Sequence, residues 1–238
     1  MDVTENVPGE KFSVTRGCGR AMSVITAVRN MEEWMNYKLY YFPIRGRGEQ
    51  VRLFLHTLDV PFEDVLVKRE QFLELQKQGS SVLSFGSLPM LEDGDFRLCQ
   101  GPTILSYLAS RHGVALKDPR ASARADSIAW GAEDLRQRYF KLFGDDAAKL
   151  QEDFVDGDWN SRWTPNLNGL LSQNGKNGHF VGSSITHADV AVWDVLDAVL
   201  TNIKSASLKG AGVLESFYED FRSRPTVAAY LESGKRLS

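Results

Sequence analysis

The chain has 238 residues, 42% of them apolar and 25% charged, enough to bury one large core or two modest ones and far from the composition of disordered chains. Its 28 Lys and Arg against 31 Asp and Glu leave a net charge of −3, which excludes any broad attraction to nucleic acid or an anionic membrane. A small molecule or another protein chain is the expected partner. Cys18 and Cys99 are the only cysteines, too few for a disulfide framework and not spaced as a C-x-x-C pair, so a reducing cytoplasm is the expected setting. The histidines at 56, 112, 179 and 187 lack the short helical spacing that lets two imidazoles share a metal, and no metal is expected. The apolar stretch over residues 188–200 is interrupted by Asp189, Asp194 and Asp197 and falls short of the ~20 residues of a membrane span.

In chain order, residues 1–36 show no sustained periodicity. Asp2, Glu5 and Glu10 argue against an acid-poor transit peptide and no apolar run suits a secretory signal, so a flexible N-terminal extension is expected there. Residues 37–42, YKLYYF, have the content of a short buried strand and run into a Pro/Gly loop, PIRGRG. A helix is predicted from near Gly48, with Val51, Phe54, Leu55 and Leu58 on one apolar face. Residues 62–67 read as a second strand and 71–78 as a short polar helix. SLPML at 87–91, an EDGD turn and FRLCQ at 96–100 form a predicted β-hairpin closed by Asp93-Gly94. Pro102 opens the next helix, where no N–H is needed.

The order is thus βαβαββα. A linker at 115–120 leads into sequence that reads as helix throughout, over roughly 121–143, 146–174, 186–203 and 211–222. Thr186 and Asp189 have capping-box spacing, and Ile185 and Val190 are placed to form a hydrophobic staple.

A βαβαββα half with a proline just inside its third strand, joined to a helical half, resembles the glutathione transferases. YKLYYFPIRGRGEQVR is similar to the first strand and loop of their alpha, mu, pi and sigma classes, the tyrosine-type strand end being most like sigma and alpha. FGSLPMLEDGDFRLCQG resembles their third and fourth strands, and THADVAV their capped interior helix. The resemblance implies a thioredoxin-like α/β domain over 37–114 that binds glutathione, followed by an all-α domain over 121–238. It also implies glutathione as co-substrate, a small hydrophobic electrophile as second substrate, and a homodimer.

Strand alternation places Tyr40 and Tyr41 on opposite faces and does not choose between them. The resemblance puts the catalytic tyrosine directly before Phe42, which is Tyr41. From the residues alone, Tyr41 reads as one of seven tyrosines, packing an aromatic strand, and the catalytic role is what the resemblance implies. Arg47 resembles the arginine that polarises the tyrosine and thiolate. Leu88-Pro89 resembles the cis-proline turn whose backbone pairs with the cysteinyl part of glutathione. Gln100 and Gly101 stand where a helix begins and resemble the holders of the γ-glutamyl end. Phe72 and Ser87 occupy the positions facing the glycyl end, and Asp134 that of an aspartate reaching the partner's glutathione. Phe42 and Ile44 are expected to line the electrophile's cleft.

Three positions depart from the family's pattern. Ser or Thr is usual at Gly101, a Trp or Arg donor at Phe72, and Lys or Gln at Ser87. Weaker glutathione binding is therefore expected, with Lys77 a candidate to compensate, and a Gly101→Ser change is expected to tighten it. The alternatives to conjugation are a sigma-like glutathione-dependent isomerase and a non-enzymatic binding or structural protein on the same scaffold.

Overall fold

The structure is a computed structural model and describes residues 37–237; the expectation for residues 1–36 lies outside them. Strand β1 (Tyr37–Tyr41) is followed by helix α1 (Glu49–Thr57), strand β2 (Glu63–Leu66), helix α2 (Arg69–Lys77), strands β3 (Met90–Asp93) and β4 (Phe96–Cys99), and helix α3 (Gly101–Arg111). The sheet order is β2-β1-β3-β4, with β1 parallel to β2 and antiparallel to β3, and β3 antiparallel to β4. This is the predicted βαβαββα order in a thioredoxin-like arrangement. The hairpin turn is displaced by one residue from the expectation: Asp93 pairs with Phe96, so Gly94 and Asp95 form the turn. Gly94, at φ +63°, supplies the positive φ that a two-residue hairpin needs at its first central position.

Helices α4 (Pro119–Phe140), α5 (Ala147–Asp153), α6 (Thr164–Gln173), α7 (His187–Asn202), α8 (Val213–Arg222) and α9 (Pro225–Glu232) follow. Asp118 caps α4, its carboxylate accepting from Ala121 N–H at 2.8 Å, and Pro119 opens the first turn, so the helix starts two residues earlier than predicted. The single helix expected over 146–174 is three pieces, because a π-helical segment, Phe154–Trp163, separates α5 from α6. Pro165 has no N–H to continue the α-helical ladder and its ring crowds the carbonyl four residues back, while the Thr164 hydroxyl instead donates to the Trp159 carbonyl. Helix α9 was not anticipated, although Pro225 at its start was a legible signal.

Helix α4 turns Ala125, Ala129, Ala132 and Leu135 toward α7, which is buried from His187 to Val199. Trp193 of α7 stacks on Tyr218 and Phe221 at 5.4 and 5.2 Å between ring centroids. Each such large side chain taken from water contributes roughly 1.5–3 kcal/mol. Helix α1 joins this core on more than its apolar stripe: Glu49, Gln50 and Arg52 are as buried as Val51, Leu53, Phe54 and Leu55. Among the described residues no helix is long and apolar enough to cross a membrane.

Candidate functional site

Tyr41 ends β1 with only 5% of its surface exposed, in a small apolar cluster with Val67, Leu83, Leu88, Met90 and Cys99. Its hydroxyl oxygen accepts the backbone N–H of Arg47 at 2.8 Å. The turn that brings this N–H over the ring depends on two glycines. A Cβ on Gly46 would stand 2.6 Å from the Tyr41 hydroxyl oxygen, and one on Gly48 would stand 2.6 Å from the ring carbons. Gly46 also has φ +42°, which side chains with a Cβ rarely adopt. Arg52 fastens the loop from below, donating to the Ile44 carbonyl at 3.0 Å and to Asp64 at 2.8 Å.

Burial pushes the Tyr41 hydroxyl above its ordinary value of 10, while the Arg47 N–H and the charges of Arg47, Arg136 and Arg52 pull the other way. The phenol is neutral at physiological pH. With one lone pair engaged by Arg47, its hydrogen is left to donate. Tyr40 points to the opposite side of the strand and is half-buried, with burial also raising its hydroxyl.

Two clefts flank this loop. One, of about 180 Å³, is lined by Arg47, Ser87, Leu88, Pro89, Gln100 and Gly101 together with Pro102, Trp130, Glu133 and Gln137. It gathers six of the predicted site residues. The Leu88-Pro89 peptide is cis, as the resemblance implied. Gln100 has φ +78°, a conformation that costs a non-glycine residue roughly 1–3 kcal/mol and is concentrated at functional sites. Helix α3 begins directly after it without a side-chain cap, leaving first-turn N–H groups and the positive end of the helix dipole toward the cleft.

The second cleft, of about 290 Å³, is lined by Ile44, Gly46, Tyr139, Phe140, Phe143 and Ala198, with Arg45, Arg136, Asp194 and Asn202 at its polar side. Between the clefts the Arg47 side chain forms an ion pair with Glu133 and lies 5.0 Å from the Phe140 ring centroid. Glu133 in turn pairs with Arg136 at 3.2 Å, and Arg136 with Asp194 at 2.9 Å. Burial pushes the Asp194 carboxyl up to about 6 against the pull of Arg136 and Arg45.

Several expected site residues have partners that the motifs did not indicate. The Arg47 guanidinium turns to Glu133, and the backbone N–H is what meets the Tyr41 oxygen. Phe42 lies outside the lining of the apolar cleft, its ring packed against Tyr41 and Phe72 at 5.5 and 5.1 Å. Phe72, the other half of that contact, lies outside the lining of the polar cleft for the same reason. Lys77 is exposed and paired with Glu74 at 2.7 Å, away from both clefts. Asp134 is exposed on α4 and touches neither. The space beside Gly101 is occupied: a Cβ there would stand 2.5 Å from Gln50 Nε2, and Gln50, 1% exposed, is held to the Arg47 carbonyl at 3.3 Å. Glu133, Trp130, Gln137 and Gln50 were not anticipated as site residues. Their elements were predicted, but only the packing of α4 and α1 against the loop brings them there.

Residues 36–110 match the family model for the glutathione S-transferase N-terminal domain, and residues 133–234 that for the glutathione S-transferase C-terminal domain. Over 206 residues the chain is 32% identical to glutathione S-transferase P 1 of Xenopus laevis, covering 84% of this chain and 93% of that one. The glutathione S-transferase of Ascaris lumbricoides superposes with a TM-score of 0.75 at 30% identity, over 85% of this chain and 98% of the other. The Pi-class glutathione S-transferase of Onchocerca volvulus gives 0.73 at 27% identity, over 84% and 93%. Strand order, cis-proline, capped interior helix and these likenesses agree, and the chain belongs to the glutathione S-transferase family.

Proposed function

We propose that this glutathione transferase conjugates the thiolate of glutathione to small apolar electrophiles, with the Tyr41 hydroxyl donating its hydrogen to the sulfur. The observation that carries this is the neutral, buried phenol whose oxygen already holds the Arg47 N–H. A free thiol with a pKa near ~8.5 is mostly protonated at neutral pH. A donor aimed at the sulfur favours the anion, by about 1.4 kcal/mol for each unit of lowered pKa. Arg47 contributes the N–H that fixes the phenol and a positive charge nearby.

Glutathione then lies in the polar cleft. The Leu88 backbone beside Pro89 meets its cysteinyl peptide, Ser87 borders its glycyl end, and its γ-glutamyl carboxylate sits at the start of α3 by Gln100 and Gly101, where N–H groups and dipole favour an anion. The electrophile occupies the neighbouring cleft by Ile44, Phe140 and Phe143. The division into a glutathione-binding domain over 37–114, a linker and a helical domain over 121–238 belongs to the same proposal.

So does a cytoplasmic homodimer. Phe85 is 72% and Trp130 46% exposed, apolar surface suited to a second copy, and Asp134 stands on the same helix as Trp130. Light scattering at micromolar concentration tests the dimer, and a monomer contradicts it. Turnover of a general aromatic electrophile tests the chemistry. Tyr41→Phe should lose most of the activity while binding glutathione nearly as before, and Tyr40→Phe should retain it. Equal losses in the two variants would overturn the assignment.

A further inference from the structure

Helix α9 and the residues after it run back along α1, pinned at successive points. The Thr226 hydroxyl donates to the Thr57 carbonyl at 3.4 Å, Tyr230 stacks on His56 at 4.0 Å, and the Tyr230 hydroxyl donates to Glu49 at 3.1 Å. Near the end of the described residues the strap is tied by Arg236. Its Nε donates to Glu49 at 2.9 Å and its Nη2 to Asp197 at 2.6 Å. The arginine is 16% exposed and the two carboxylates 1% and 6%.

Both carboxylates lead to the loop that holds Tyr41. Asp197 also accepts from Arg45 Nη2 at 2.6 Å and from the Tyr218 hydroxyl at 2.8 Å, so Arg236 and the loop residue Arg45 share one anion. Glu49 follows Gly48, the residue pressed on the Tyr41 ring, and its N–H donates to the Arg45 carbonyl at 2.9 Å. Glu49 also lies 3.7 Å from Arg52, which holds the Ile44 carbonyl. Residues 45–49 are thus gripped at both ends by groups that Arg236 joins. Buried ion pairs are weak sources of net stability but, once present, fix geometry because a lost partner leaves an unpaired buried charge. A planar guanidinium bridging two carboxylates is suited to that role, and an ammonium is not.

We propose that Arg236 is a positioning residue for thiol activation, fixing the 45–49 loop so that the Arg47 N–H holds the Tyr41 hydroxyl in its donating orientation. This rests on Tyr41 acting on the sulfur as set out above. The experiment compares wild type, Arg236→Gln, Arg236→Lys, Tyr41→Phe and the Tyr41→Phe/Arg236→Gln double variant. Each is read by the pH titration of the thiolate absorbance of bound glutathione, by kcat and KM, and by thermal unfolding.

Arg236→Gln should reduce the thiolate fraction at neutral pH and kcat together, by roughly two- to eightfold, as for a bound thiol titrating near ~7 whose pKa is raised by about half a unit to one unit. KM for glutathione should change less than about twofold, since the groups lining the glutathione cleft remain. Arg236→Lys, able to meet one carboxylate at a time, should shift the titration in the same direction by less, and it carries the test if the Gln variant fails to fold. In the Tyr41→Phe background the Arg236 change should add nothing to the thiol titration. A lower unfolding temperature with an unchanged thiol titration would overturn the proposal and leave Arg236 a purely structural tie. If Tyr41→Phe itself leaves the thiol pKa unchanged, the role of Tyr41 fails first.

Discussion

Helices α3 and α7 begin in opposite ways. At the start of α7, Asp189 is fully buried and accepts from the Thr186 N–H at 2.6 Å, the Thr186 hydroxyl at 2.9 Å and the Phe180 N–H at 2.8 Å. The donors there are spent on the chain itself. Helix α3 starts behind a strained Gln100, without a side-chain cap and with Pro102 in its first turn. It opens on the polar cleft. The same physics of unpaired N–H groups and a helix dipole therefore serves folding at one helix and is left available to an anion at the other. The difference lies in whether a nearby carboxylate already occupies the position.

The largest effect should come from breaking the closed start. Asp189→Ala removes three hydrogen bonds to one buried carboxylate and strands their donors, so stability should fall by about 3 kcal/mol or more. Chemical denaturation measures it, and a loss below ~1 kcal/mol would mean that α7 does not depend on its box. Glutathione affinity per folded molecule should be unaffected.

The open start is sharpened through Gly101. Gln50 Nε2 occupies the room a side chain would need, so Gly101→Ser, expected from sequence to tighten glutathione binding, should instead weaken it several-fold as the serine displaces the buried amide. Removing the obstacle in Gln50→Ala/Gly101→Ser should reverse the sign, giving binding about tenfold tighter than wild type through one added hydrogen bond to a carboxylate. Calorimetric titration of both variants decides. Tighter binding by the single variant would show that Gln50 yields its place freely.

A smaller effect separates α7's own carboxylates by pH. Asp194, raised to about 6 by burial, holds its proton more tightly folded than unfolded, so its contribution to stability grows as pH falls from about 7 toward 4. Burial holds His56, His112 and His187 below their ordinary value, and these act in the other direction as pH falls through 6.5. Their effect is common to wild type and Asp194→Asn, and the difference between the two isolates Asp194. Wild type should gain about 2 kcal/mol on the variant between pH 7 and pH 4.5. A difference independent of pH would place the Asp194 titration outside this range.

What was legible in the sequence follows the same division. The β1 strand, the RGRG loop, the hairpin, its turn shifted by one residue, and the Thr186–Asp189 box are local patterns of a few adjacent residues that periodicity and turn chemistry locate, while the cis-proline was implied by the family resemblance. The buried charges do not read this way. Glu49 and Arg52 lie on the side of α1 that its apolar spacing assigns to water, and their burial is offset by Asp64 and by Arg236, far along the chain. Arg45 and Asp197 are likewise separated by 152 positions. A pattern search over neighbouring residues sees only surface charges there. The role of Gln50 beside Gly101 was hidden for the same reason, since only packing brings α1 against the start of α3. Phe72 shows the converse: its position in the motif suggested a ligand contact, but an aromatic side chain there has Phe42 to pack against.

The most direct test of the central claim is the pH titration of the thiolate absorbance of glutathione bound to wild type and to Tyr41→Phe. If the Tyr41 hydroxyl, held by the Arg47 N–H, stabilises the anion, the wild-type thiol should titrate about one to two units below the free value near ~8.5. The variant should return most of the way to the free value with its glutathione dissociation constant changed less than about threefold. The same thiol pKa in both proteins would contradict the account.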